Sequence, residues 1–172
     1  MNPRAPFACL PVGVVVERHK AVSPWADYLW RPVAVLSGVP DTAPWTIINT
    51  ESETLTFYAG PAEVALHRSE TANYRSNLWS GSPSLWVVLR ATDAEPPYEV
   101  VLVTADPAEG EAMTEAGSDI VEAVPMPEPL RQIVHAFVAE HHVERIFHKR
   151  QRDEADPEAF IRHQPGAGER RK

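Results

Sequence analysis

Leu85-Trp86-Val87-Val88-Leu89 is followed, after the polar Asp93 to Pro97 segment, by Tyr98-Glu99-Val100-Val101-Leu102-Val103, and this pair of runs decides the fold class. Each run is apolar on both faces or nearly so, and each is rich in β-branched and aromatic side chains. A run this short suits a strand covered from both sides better than a helix, which needs about ten residues or more. The loop between them predicts two adjacent antiparallel strands in the middle of a sheet. Trp86, inside the first run, is expected in the core.

Toward the N-terminus the chain repeats this logic in weaker form. Val12 to Arg18 alternates, with Val12, Val14 and Val16 on one face. Tyr28 to Ser37 reads as a strand interrupted near Pro32, which cannot donate a ladder hydrogen bond and so marks an edge or a bulge. Trp45 to Asn49 and Thr54 to Tyr58 flank the polar Thr50-Glu51-Ser52-Glu53 and predict a hairpin. After Gly60-Pro61, Glu63 to Arg68 reads as a further strand. Ser69 to Ser80 predicts a short helix with Ser69 as its N-cap and Gly81 beyond its end.

Toward the C-terminus, Asp106 to Ala116 predicts a loose helix and Ile120 to Val124 a last strand. Glu128 to Glu144 is the clearest helix. Pro129 suits its first turn, and Leu130, Ile133, Val134, Phe137, Val138 and His141 form one stripe at helical spacing. The fold class that follows is α+β, mainly β: an antiparallel roll, barrel or sandwich of about seven short strands closed by the C-terminal helix. A pleckstrin-homology-like barrel has this element order and serves as an analogy. The expected organisation is a flexible N-terminus at 1–10, a single β-rich domain at 11–144, and a basic, partly disordered tail at 145–172.

Composition agrees with one globular domain. The 172 residues are 44% hydrophobic, and the 17 prolines fall mostly between the apolar runs, where turns are needed. Cys9 is the single cysteine, which excludes an internal disulfide and any multi-cysteine metal site and predicts a reducing compartment. The apolar stretch near the start is short, contains Pro11 and Gly13, and runs into Glu17-Arg18-His19-Lys20, a poor signal peptide and too short to span a bilayer. The expected location is the cytoplasm, without membrane association.

Net charge is −8 and unevenly placed. Asp93 to Glu128 holds ten acidic residues and no Lys or Arg, whereas Arg145 to the end carries a net of +3. An acidic body argues against nucleic acid as the main partner, because phosphate binding needs a broad positive surface.

Candidate sites divide into three groups. His135, His141, His142 and His148 miss the i, i+4 spacing that lets two imidazoles share an ion on one helix face, so no metal site is assigned. His67, Arg68, Tyr74 and Arg75, with Glu70, are the densest polar cluster of the body and could clamp a carboxylate or phosphate. The ordinary reading is a strand end and helix start whose charges pair with the acidic surface. The tryptophans outside the central strand, Trp25, Trp30, Trp45 and Trp79, sit at strand ends or in loops, where half-exposed rings serve as anchors at protein interfaces. The sequence holds no Gly-x-Ser-x-Gly, phosphate-binding glycine loop or Gly-x-Gly-x-x-Gly, and no cofactor is implied.

Pro11-Val12-Gly13-Val14-Val15-Val16-Glu17-Arg18, Trp30-Arg31-Pro32-Val33, Leu66-His67-Arg68-Ser69-Glu70-Thr71, Tyr74-Arg75-Ser76-Asn77-Leu78, Ala105-Asp106-Pro107 and His141-His142-Val143-Glu144-Arg145 stand out as motif-like stretches. With others they resemble an uncharacterised bacterial family of unknown-function domains, often encoded beside genes for molybdenum-dependent formate dehydrogenase. The resemblance implies a setting, an accessory, assembly or maturation role near such a molybdoenzyme, and brings no catalytic residues. The expected function is a non-catalytic protein that binds a partner of that system through Trp25, Trp30, Arg31, Arg68, Tyr74, Arg145, Lys149 and Arg150. The alternative is a domain or enzyme that takes an anionic small molecule at His67, Arg68, Tyr74 and Arg75.

Overall fold

Alternation in the first strand sets the interior: Val12, Val14 and Val16 are fully buried on its inner face. A computed structural model describes residues 5–114 and 117–143. The chain runs β1 (Ala8–Lys20), β2 (Tyr28–Ser37), β3 (Thr46–Glu51), β4 (Thr54–Leu66), a 3-10 turn at Arg68–Glu70, α1 (Thr71–Leu78), β5 (Ser84–Ala91), β6 (Tyr98–Thr104), α2 (Pro107–Thr114), β7 (Ile120–Pro125) and α3 (Glu128–His141). The strands form one nearly closed, barrel-like sheet in the order β2-β1-β4-β6-β5-β7, with β3 added to the outer edge of β4. The end strands β2 and β7 lie against each other across a narrow seam lined by Arg31, Pro32, Val33 and Glu122 to Pro125. Mainly β architecture with a C-terminal helix is thus as the sequence predicts, and β5 and β6 pair as the predicted hairpin, Trp86 opposite Thr104 through Ala91 opposite Tyr98.

Pro32 meets both of its expected restrictions. It lies on an edge strand, and the register with β1 shifts there, from Val15 opposite Ala34 to Val16 opposite Pro32. The two strands read on either side of Gly60-Pro61 are one strand, β4. Gly60 takes φ +137, a region open to glycine, and the register with β1 skips Ala59 between Val14–Gly60 and Val15–Tyr58. The resulting bend lets the first half of β4 pair with β3 and the second half reach β6. That last contact, Val64 opposite Val103, is parallel, so the sheet is not wholly antiparallel.

Other boundaries also differ. β1 begins at Ala8, so Ala8, Cys9 and Leu10, read as part of a flexible lead, pair with Leu66, Ala65 and Val64. The interruption at Pro11 hid this, because Pro11 faces Glu63 without breaking the strand. Ser69 is not an N-cap: the 3-10 turn takes its place, and Thr71 Oγ1 donates to the Arg68 carbonyl at 3.3 Å. Trp86 is half-buried on the outer face of β5, beneath α2, where Gly110 lets the helix lie directly on the indole. A Cβ at residue 110 would stand 2.2 Å from Trp86 Cγ.

The apolar stripe of α3 plugs the interior. Leu130, Val134, Phe137 and Val138 are buried in the same cluster as Val12, Val14, Val16, Leu85, Val87 and Leu89. Each such side chain contributes about 1.5–3 kcal/mol through burial. Ile133, counted in the predicted stripe, is 45% exposed at its margin, and the helix ends at His141. α1 packs beside α3 through Tyr74, whose ring meets Phe137 edge-on at 6.2 Å.

Candidate functional site

Three buried polar side chains, Asn77, Asp106 and Tyr74, hold elements of the body together. Asn77, 3% exposed, donates from Nδ2 to the carbonyls of Ser84 at 2.7 Å and Ala105 at 2.9 Å, while its Oδ1 accepts the Ser84 N–H at 3.0 Å. It therefore ties α1 to the start of β5 and the end of β6. Asp106 caps α2, its Oδ1 accepting the Ala108 N–H at 2.8 Å ahead of Pro107 in the first turn. Its Oδ2 accepts from Asn73 Nδ2 at 2.9 Å. Tyr74 is 1% exposed, and its hydroxyl accepts the His67 backbone N–H at 3.1 Å. Burial pushes its phenol up to about 12. Tyr74 was expected on a docking surface, but a ring buried to this degree serves the core.

The predicted anion clamp comes apart. His67 and Tyr74 line one polar cleft of about 480 Å³, with Glu70, Asn73, Asp106 and Glu109 on its other walls. Its charged groups are carboxylates, which repel an anion. Neither arginine lines it. Arg68 lies over the Phe7 ring at 3.9 Å, and Arg75 turns toward His142 Nε2 at 3.4 Å and the Trp79 ring at 5.8 Å. The histidines are equally dispersed. His135 stacks on Trp79 at 5.8 Å, His141 packs between Phe7 and Phe137, and His142 Nδ1 meets Thr71 Oγ1 at 3.2 Å. Among the described residues no three His, Cys, Asp or Glu side chains group as metal ligands do. His148 lies outside the described residues.

The predicted docking residues fall at two ends of the molecule. Trp25, Trp30 and Arg31 are near the Lys20 end of β1, which pairs with Tyr28. Arg68 follows Leu66, which pairs with Ala8 at the other end. The 13-residue strand separates them by about 40 Å of path. Arg145, Lys149 and Arg150 lie outside the described residues.

The Lys20 end is the more unusual. Six exposed apolar side chains belong to the segments at this end: Val22 and Trp25 in the β1–β2 connection, Tyr28 and Leu29 on β2, Ile47 and Ile48 on β3. Trp25 is 93% exposed. Just inside is a ring cluster. Trp30 meets Trp45 edge-on at 6.0 Å, Phe57 at 5.4 Å and Tyr98 at 5.7 Å. Trp45 holds φ +64, a left-handed conformation that is strained for a bulky residue, while its N–H bonds the Tyr58 carbonyl. Arg18 is set among these rings, 4.1 Å from the Tyr28 centroid, 5.6 Å from Trp30 and 5.8 Å from Phe57. On the outer face of the same strands Glu17 links Arg31 and His19, and His19 Nδ1 meets Thr54 Oγ1 at 2.9 Å.

Arg18 is a functional candidate that reading by residue type passed over. The signal was present in the alternation: if Val12, Val14 and Val16 face inward, Arg18 is the next residue on that face. A second apolar surface lies at the helical end, where Trp79, 62% exposed, and Leu78 border a groove of about 340 Å³ with Glu128, Arg131, Gln132 and His135. No described helix is long and apolar enough to cross a membrane.

A family model described as a protein of unknown function, DUF3305, matches residues 11–151. No curated protein and no solved structure matches the chain.

Proposed function

The chain belongs to the DUF3305 family of proteins of unknown function, and we propose that it is a non-catalytic, cytoplasmic accessory protein that docks a partner protein through the Lys20 end of its barrel. The partner we assign is a subunit or maturation factor of a formate dehydrogenase-type molybdoenzyme, the setting implied by the resemblance of Pro11 to Arg18 and the other stretches above. The observation that carries the docking reading is Trp25, an indole 93% exposed, with exposed Val22, Tyr28 and Leu29 close by in the chain. Large exposed apolar side chains favour an interaction site, and indoles are favoured anchors there. Three buried polar side chains, Asn77, Asp106 and Tyr74, are occupied in joining elements of the fold.

Affinity capture from the native host at moderate salt, with the intact chain as bait, tests this. Recovery of a molybdoenzyme subunit or maturation factor is expected, falling about tenfold or more for Trp25→Ala, since an interface anchor contributes about 2 kcal/mol or more. Undiminished capture by Trp25→Ala places the interface elsewhere. Failure of folded, abundant bait to recover any component of that system removes the proposed setting.

A further inference from the structure

The geometry points to a second recognition element at the same end of the barrel: we infer that Arg18 is a binding site for a carboxylate carried on an apolar body. This goes beyond the docking proposal and holds whichever protein docks at Trp25. The argument begins with the strand. Arg18 follows Val12, Val14 and Val16 on the inward face of β1 and pairs with Trp30 on one side and Leu55 on the other. It is neither buried nor fully exposed. A charge at such a position needs compensation, which most arginines find in an acid.

Other arginines of the molecule do so. Arg90 makes a forked bond to Asp119 at 2.8 and 3.2 Å, Arg131 reaches Glu128 at 2.7 Å, and Arg31 approaches Glu17 at 4.0 Å. The chain has 24 Asp and Glu residues against 16 Lys and Arg, so acids are plentiful. Arg18 nevertheless makes no hydrogen bond and no ion pair with any described residue, and its contacts are the rings of Tyr28, Trp30 and Phe57.

Ring contacts engage the faces of a guanidinium, whereas its five N–H groups lie in its plane. No described residue accepts a hydrogen bond from Arg18, so its N–H donors remain available to a ligand while Tyr28 lies against the group. A carboxylate is the planar anion that fits this fork with two parallel hydrogen bonds. The half-buried position beside these rings strengthens that bond. The rings also supply contact area for an apolar or aromatic group next to the acid, which a small hydrated inorganic anion does not exploit. Arg68, which also rests on a ring, is exposed and faces Phe7 alone, so it lacks this frame.

Two sources can present that chemistry: a free aromatic or aliphatic acid, or a glutamate flanked by apolar residues in a polypeptide. The test follows the indole N–H resonances of the full chain by nuclear magnetic resonance, assigned with single Trp→Phe variants. Benzoate and an acetylated, amidated Leu-Glu-Leu peptide are titrated separately, each beside its neutral isostere, benzamide or the Leu-Gln-Leu peptide. Movement of the Trp30 and Trp45 signals by benzoate or the acidic peptide, with Trp79 still and the neutral isosteres inert, is the expected result. Response to benzoate alone assigns a free acid, and response to the peptide a polypeptide source. Arg18→Met, which keeps the aliphatic stem, should weaken binding about tenfold or more, and Arg18→Lys, which keeps charge but loses the fork, by less. An unchanged Trp79 signal in both variants reports an intact fold. If neither acid moves Trp30 or Trp45, if the amides act as strongly as the acids, or if folded Arg18→Met binds undiminished, the site does not exist.

Discussion

Tyr74 joins two kinds of constraint in one side chain: a ring packed against Phe137 and a hydroxyl that accepts the His67 N–H. Its phenol is neutral below pH 10 in both folded and unfolded chains. Between the ordinary value of 10 and about 12 the unfolded chain ionises while the folded chain does not. Stability conferred by the neutral buried phenol is therefore complete below pH 10 and lost as pH rises toward 12, by up to about 3 kcal/mol. Tyr74→Phe should cost about 1 kcal/mol at neutral pH and flatten that alkaline loss, as measured by urea unfolding at pH 7 and pH 11. Some slope must persist, because burial also raises the phenol of Tyr58, whose hydroxyl has no hydrogen-bond partner among the described residues. Equal slopes in the variant and the parent would contradict the assignment. Alternation along β1 places Arg18 on the inner face, but neither the rings around it nor the burial of Tyr74 can be read from residue type. A residue's type states what it can do, but only tertiary contact decides whether a polar tip finds backbone, ring or water.

At the scale of elements, α2 shows how a helix of weak amphipathic character finds its place. The Asp106 cap and Pro107 start it, and Gly110 is the point where it touches the sheet. Glycine to alanine inside a helix ordinarily stabilises by about 1 kcal/mol. Here the added methyl would meet the Trp86 ring well inside contact distance, so Gly110→Ala should instead destabilise by about 1–3 kcal/mol, seen in thermal unfolding. Combining it with Trp86→Leu should cost less than the two single changes together, since both act on one contact. A stabilised Gly110→Ala protein would mean that α2 does not rest on β5 in solution. That a helix begins near Asp106 was legible, because helix onset is local chemistry. That it covers Trp86 on the outside of the barrel was not, since an apolar strand reads the same whether a helix or a second strand covers its far face. Similarly, Gly60-Pro61 looks like a turn in isolation, and only the partners β1, β3 and β6 make it a bend within one strand.

For the molecule as a whole, strand number and the closing helix were readable from alternation and from the α3 stripe, whereas strand order was not. Pairings such as Ala8 with Leu66 join residues far apart in sequence, and their choice depends on burying all inner faces at once. This common interior makes a prediction about cooperativity. Phe137 touches Tyr74 of α1, Phe7 ahead of β1 and His141 of its own helix, and it belongs to the cluster that includes the inner faces of β1, β5 and β6. Phe137→Ala should cost about 3–5 kcal/mol, the lost transfer energy plus a cavity that rigid strands cannot close. Because α3 and the sheet share that interior, the variant should still unfold in one transition, with far-ultraviolet circular dichroism and tryptophan fluorescence giving the same midpoint. Were the helix a separate appendage, its signal would vanish at lower denaturant while the barrel kept its parent midpoint. Coincident, equally shifted curves require that the plug and the barrel are stable only together.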